Sequence, residues 1–165
     1  MTRILLFCLF ATSFVKSVHG CNCVPIGTFC ETITTEGKID TTYLIVYGEV
    51  ERKTSEVMHV RIIDLLFGSP SEEVLTIPNG YGIDCREPIA KFKEGSQYLF
   101  ALHGKDVLGY FLLTCGVTSL EVTGGEVRGA IAPGIERVRI EDFATLNACG
   151  NIGTLLSSVS VLPTL

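Results

Sequence analysis

Six cysteines follow the first twenty residues, and their placement constrains this chain more than any other feature. Cys21, Cys23 and Cys30 crowd together, while Cys85, Cys115 and Cys149 stand singly. The seventh, Cys8, falls in residues 1–20, where Arg3 precedes an apolar stretch from Ile4 to Val15 and small residues lead up to Gly20. That stretch is too short to span a bilayer and has the order of charge, apolar core and cleavage site of a secretory signal. Cleavage after Gly20 leaves a mature chain that opens on Cys21 and keeps an even number of cysteines. An even count in an exported chain predicts three disulfides formed in an oxidising compartment. Zinc ligation and free buried thiols are the alternatives, but zinc sites draw on paired C-x2-C spacings that this chain lacks. Six cysteines allow 15 connectivities, and spacing alone leaves them all open.

The remaining 145 of the 165 residues fit one domain, 21–150, with 151–165 as a flexible C-terminal tail. Without Arg3 and Lys16 there are 11 basic residues against 18 acidic, a net charge of about −7, and no Lys/Arg run exceeds two. Such a surface predicts no nucleic acid or heparin partner. No membrane span is visible beyond the leader, so the expected product is secreted and extracellular. The sequence leaves the oligomeric state open; a monomer is expected.

Two β-prone runs, Thr42–Arg52 and Val57–Leu66, flank a short polar turn and predict a hairpin. Glu73–Ile77 predicts a short strand, and 78–82 a loop that delivers Cys85. The continuous apolar run Tyr98–Leu102 predicts a buried strand. His103-Gly104-Lys105-Asp106 is then expected to turn the chain into a return strand, Val107–Thr114. Glu126–Ile131 is expected as an edge strand. Thr28–Thr35 and Ile140–Ala148 are helical candidates, the second with Glu141 and Asp142 in its first turn. Some five antiparallel strands with short helices at the ends predict a small closed or partly closed β-barrel.

An active site of its own finds little support. His59 and His103 lie in no metal-ligand spacing, no G-x-S-x-G or phosphate-binding loop occurs, and Gly124-Gly125 is accounted for by a turn. Pairing of all six cysteines leaves no thiol nucleophile. The chain is not expected to be an enzyme or to carry a cofactor of its own.

Cys21-Asn22-Cys23-Val24-Pro25, then Phe29-Cys30 and the single Cys85, Cys115 and Cys149, together resemble the N-terminal domain of the tissue inhibitors of metalloproteinases, a branch of the netrin-like modules. Asp64-Leu65-Leu66-Phe67-Gly68 and Gly95-Ser96-Gln97-Tyr98-Leu99-Phe100 extend the similarity through the middle, so that it covers Cys21 to about Gly150. The resemblance implies a mainly β fold, a five-stranded OB-like barrel with flanking short helices. It also implies the disulfides Cys21–Cys85, Cys23–Cys115 and Cys30–Cys149. Its further implication is a secreted metalloprotease inhibitor whose targets are extracellular zinc metalloproteases. In such an inhibitor the α-amino nitrogen and carbonyl oxygen of Cys21 chelate the catalytic zinc of the protease, which is the only metal involved.

By the same correspondence Asn22 enters the pocket for the substrate side chain after the scissile bond. Cys23, Val24 and Pro25 lie along the cleft, and Ile83, Asp84 and Cys85 form a second contacting edge. The chain departs from the family at Asn22, where Thr or Ser is usual, and in the short Cys23–Cys30 segment, which has Ile26-Gly27-Thr28 where the vertebrate inhibitors carry a His-Pro-Gln stretch. An amide left without a partner in an apolar pocket costs about 1–3 kcal/mol, which alters target choice. Two other readings compete. The early cysteines could serve only to anchor the terminus of a non-inhibitory extracellular binding module. Alternatively, Val18-His19-Gly20-Cys21 could be a bacterial lipoprotein signal, although His19 suits it badly.

Overall fold

The computed structural model describes Cys21, Cys23 and residues 27–81, 84–143 and 149–150. The predicted leader, Asn22, Val24, Pro25, Ile83, residues 144–148 of the predicted second helix and the tail from 151 lie outside the described residues.

The chain is mainly β. In order it forms helix α1 (Phe29–Ile33), a small ribbon of β1 (Thr34–Thr35) and β2 (Lys38–Ile39), and the long hairpin β3 (Tyr43–Lys53) and β4 (Val57–Phe67). β5 (Val74–Pro78) and a 3-10 turn (Ile89–Lys91) follow, then β6 (Gln97–Asp106), β7 (Gly109–Phe111), β8 (Ser119–Thr123), β9 (Glu126–Ala132), β10 (Ile135–Arg139) and α2 (Ile140–Phe143). Eight strands make one curled antiparallel sheet, a half-barrel ordered β10-β9-β8-β6-β3-β4-β5. β7 shares with β8 the side of β6 that faces away from β3: β8 takes Gln97–Phe100 and β7 takes His103–Asp106.

β3 and β6 are central because apolar side chains leave both of their faces. Successive strand residues point to opposite sides, so Leu44, Val46, Val50, Tyr98, Phe100 and Leu102 enter one core while Ile45, Leu99 and Ala101 enter the other. This two-sided burial is why these segments read as continuous apolar runs. β4 alternates instead, with Met58 and Val60 buried and Arg61 exposed. The first core takes in Leu75, Ile77, Ile89, Phe92 and Leu112. The second is roofed by the helices: Phe29 and Phe143 meet edge to face at 5.8 Å between ring centroids. Each fully buried Phe is worth about 2–3 kcal/mol of transfer free energy.

Helix α1 begins at a threonine N-cap. Thr28 accepts the Glu31 backbone N–H at 3.2 Å, and its hydroxyl donates to the Glu31 carboxylate at 2.9 Å. The Thr32 hydroxyl then accepts the Val117 N–H at 2.9 Å, which locks the helix to the loop after Cys115. Cys30, buried on this helix, is bonded to Cys149, with 4.5 Å between the Cα atoms.

Several expectations need correction. Ten strands occur among the described residues, against about five predicted. β8 and β10 were missed because Ser119–Thr123 and Ile135–Arg139 are short and mostly polar on their outer face. β9 is consequently no edge strand, since β10 covers it. The predicted turn at His103–Asp106 is strand: β6 runs on to Asp106 through a register shift between His103 and Lys105, and the chain reverses at Val107-Leu108. Helix α1 stops at Ile33, where Thr34 adopts extended geometry, rather than at Thr35.

The curl of the sheet brings β7 against β5. Gly109 has φ +127°, and a Cβ placed on it would sit 2.2 Å from the Thr76 carbonyl oxygen. The absence of a side chain is what lets the two backbones meet. Gly109→Ala is therefore expected to destabilise the protein by about 3 kcal/mol or more through clash and left-handed strain together. Gly124→Ala, at φ +62° in an open turn, carries the strain alone and should cost about 1 kcal/mol. Urea denaturation midpoints compare the two directly.

Candidate functional site

The loop from Pro78 to Glu87 and the segment 112–115 are built as one unit. The Cys85 carbonyl accepts the Thr114 backbone N–H at 2.9 Å and lies 3.2 Å from its hydroxyl. The Glu87 N–H donates to the Leu112 carbonyl at 2.8 Å, and Arg86 bridges Leu113 as an antiparallel pair. Thr118, fully buried, has its hydroxyl 3.1 Å from both the Glu87 carboxylate and the Leu113 carbonyl. Within the loop, Gly80 passes so close to Arg86 that a Cβ there would lie 2.0 Å from the Arg86 carbonyl oxygen.

This unit carries two cystine anchors side by side. Cys85 is bonded to Cys21 and Cys115 to Cys23, with Cα–Cα distances of 5.4 and 5.2 Å. Both separations are ordinary for disulfides. Because Cys85 is hydrogen-bonded to the residue just before Cys115, the two bonds hold Cys21 and Cys23 to adjacent strips of backbone. Cys21, Cys23, Cys85 and Cys115 are all half-buried, so both cystines reach the surface.

Cys85 has φ +60°, a left-handed conformation uncommon for a residue with a side chain. Asp84 braces this bend. Its Oδ1 accepts the backbone N–H groups of Tyr81 at 3.4 Å and Arg86 at 3.3 Å, and its other oxygen pairs with the Arg86 guanidinium at 3.6 Å. The guanidinium in turn lies 4.8 Å from the centre of the Phe111 ring. Asp84, expected from the sequence as a contact residue, thus also shapes the loop that presents it.

Of the sequence-predicted residues, Cys21, Cys23, Asp84 and Cys85 come together on this edge, whereas Asn22, Val24, Pro25 and Ile83 lie outside the described residues. Arg86, Thr114 and Thr118 were not singled out from the sequence, since ordinary polar residues in loops carry no spacing signal. Val107 and Leu108, expected from the sequence at the start of a return strand, form the turn between β6 and β7 instead, and both are exposed, as is Tyr81. His103 packs between Tyr43 and Phe111, each 5.4 Å away by ring centroid, and its buried Nδ1 has no hydrogen-bond partner among the described residues. Nearby, the hydrogen bonds of Thr42, with a smaller contribution from His103, hold the Asp40 carboxyl below its ordinary value. Burial, with a smaller contribution from Asp40, raises the Tyr43 hydroxyl. Among the described residues no three His, Cys, Asp or Glu side chains could hold a metal ion, and no helix is long and apolar enough to cross a membrane. Three disulfides in such a chain are compatible with an extracellular protein.

Asp84→Ala should free the Tyr81 and Arg86 amides and raise their hydrogen-exchange rates about fivefold or more, corresponding to a bond worth about 1 kcal/mol. Asp84→Asn keeps the acceptor oxygen and should raise them less. Exchange unchanged from the parent in both variants would show that Asp84 does not brace the loop.

No family model, no curated protein and no solved structure matches the chain.

Proposed function

We propose that the chain is a secreted inhibitor of zinc metalloproteases that works through the N-terminus of its mature form. The observation that carries this reading is the double anchorage of Cys21 and Cys23 to one hydrogen-bonded unit of backbone at the protein surface. Two bonds two residues apart are more than is needed to keep a chain end from fraying. They set the direction of the peptide as well as its position.

The chemistry follows from a free α-amine next to its own carbonyl. In the neutral form the Cys21 nitrogen carries a lone pair, and nitrogen and carbonyl oxygen together form a five-membered chelate on the open position of the target's zinc, displacing the attacking water. An α-amine titrates near pH 8, low enough to lose its proton on binding a metal at neutral pH. Anchorage removes most of the ordering entropy that a loose peptide loses on docking. Asn22 is then presented to the pocket beyond the scissile bond, and Val24, Pro25, Ile83 and Asp84 contact the cleft walls.

The likeness to tissue inhibitors of metalloproteinases extends to the fold in this reading. β3, β4, β5, β6 and β7 would then correspond to the five strands of an OB-like barrel, a reading supported by the close approach of Gly109 to Thr76, with β8, β9 and β10 extending the sheet beyond it.

Secreted protein beginning at Cys21 should inhibit zinc metalloproteases, and one alanine added before Cys21 should raise the inhibition constant about a hundredfold or more, about 2.7 kcal/mol, without moving the thermal midpoint. Undiminished inhibition by the extended chain rules out chelation. Asn22→Gly should weaken inhibition and Asn22→Thr should widen the range of proteases inhibited. If both match the parent across a protease panel, residue 22 lies outside the specificity pocket.

A further inference from the structure

We propose that the tip of the β6–β7 hairpin, Val107 and Leu108, together with Tyr81, is a second docking element for the same protease, gripping the outer rim of its cleft; this rests on the inhibitor reading above. Of the five large apolar side chains exposed among the described residues, Ile63 stands on β4, while the other four line neighbouring recesses. Val107 is 100% exposed, Tyr81 69% and Leu108 60%, and Val74 lies beside them. Leu108 lines two shallow recesses, one of about 220 Å³ shared with Val74 and Val107, the other of about 240 Å³ shared with Tyr81, Asp84 and Arg86.

The second recess makes the patch continuous with the proposed zinc-directed edge. Its walls include Asp84 and Arg86, the residues on either side of Cys85, which is bonded to Cys21. A rigid partner seated on Cys21 therefore meets Tyr81 and Leu108 in the same approach. Isolated exposed apolar residues need no explanation, but a cluster rimmed by polar groups marks a contact surface. A tyrosine beside such a cluster is a frequent anchor in protein interfaces. Turn chemistry sharpens the point, because hairpin tips favour small polar residues. The other long hairpin follows that preference: its tip is Thr54-Ser55-Glu56, and Thr54 accepts the backbone N–H groups of Glu56 and Val57.

The test titrates the parent, the V107D/L108D double variant, Tyr81→Ser and the alanine-extended chain against a panel of isolated catalytic domains of zinc metalloproteases. For proteases that the parent inhibits, V107D/L108D should raise the inhibition constant at least tenfold and Tyr81→Ser at least threefold, with thermal midpoints unchanged because these side chains face solvent. Parent-like constants for both variants, beside an inactive alanine-extended chain, overturn the second docking element and leave the zinc-directed reading standing. A parent that inhibits none of the panel overturns both. Sedimentation velocity provides the remaining outcome: a parent dimer that V107D/L108D dissolves gives the tip to a second copy of this chain and overturns the inference.

Discussion

Burial of β3 and β6 on both faces is the constraint on which the rest of the structure depends. Their side chains supply both cores, and every other strand of the large sheet is reached from this pair. On one side β4 and β5 curl round to meet β7, and on the other β8, β9 and β10 carry the sheet outward under the helices. A polar residue at Val46 or Leu99 would be sealed in with no partner, at a cost of several kcal/mol, and would loosen one core directly and the other through the shared strand. The curl also determines where Cys21 and Cys23 are held, since it brings the β7 exit and the loop after β5 together at the same end of the sheet.

The disulfides act on this frame rather than replace it. They close separations of 64, 92 and 119 residues, for which chain-entropy estimates run to about 4–5 kcal/mol each. A domain of this size buries two substantial cores of its own beside these bonds. Cys30–Cys149 pins a buried helix to the chain's far end and is a stability device. Cys21–Cys85 and Cys23–Cys115 instead fasten residues of no core value to the surface. Their constraint falls on the geometry of the Cys21–Cys23 segment.

What the sequence revealed depended on how local each signal was. The long hairpin was legible because Thr42–Arg52 and Val57–Leu66 are rich in β-branched and aromatic residues and are joined by a polar turn. β6 was legible as buried because its run Tyr98–Leu102 is unbroken. Its true end was not, since Gly104 and Lys105 look like turn residues, and only pairing with β7 keeps them in the strand. β8 and β10 gain most of their order from neighbours and show little alternation of their own. Cysteine spacing announced a disulfide framework, yet could not choose among its connectivities without the family resemblance. At the site, the cysteines and Asp84 stood out, but the loop's supports at Thr114, Thr118 and Arg86 act through contacts between distant segments, which no local pattern encodes.

The two long hairpins solve the same backbone problem with opposite chemistry. At the β3–β4 end, Lys53 reaches the carbonyls of Ile89, Ala90 and Phe92, its backbone N–H donates to Glu94 at 2.6 Å, and Thr54 closes the turn. That tip is tied to the body of the protein and satisfied by it. At the β6–β7 end, Val107 is fully exposed and Leu108 60% exposed, so that tip offers apolar side chains to water. The proposed docking role would make use of that apolar character.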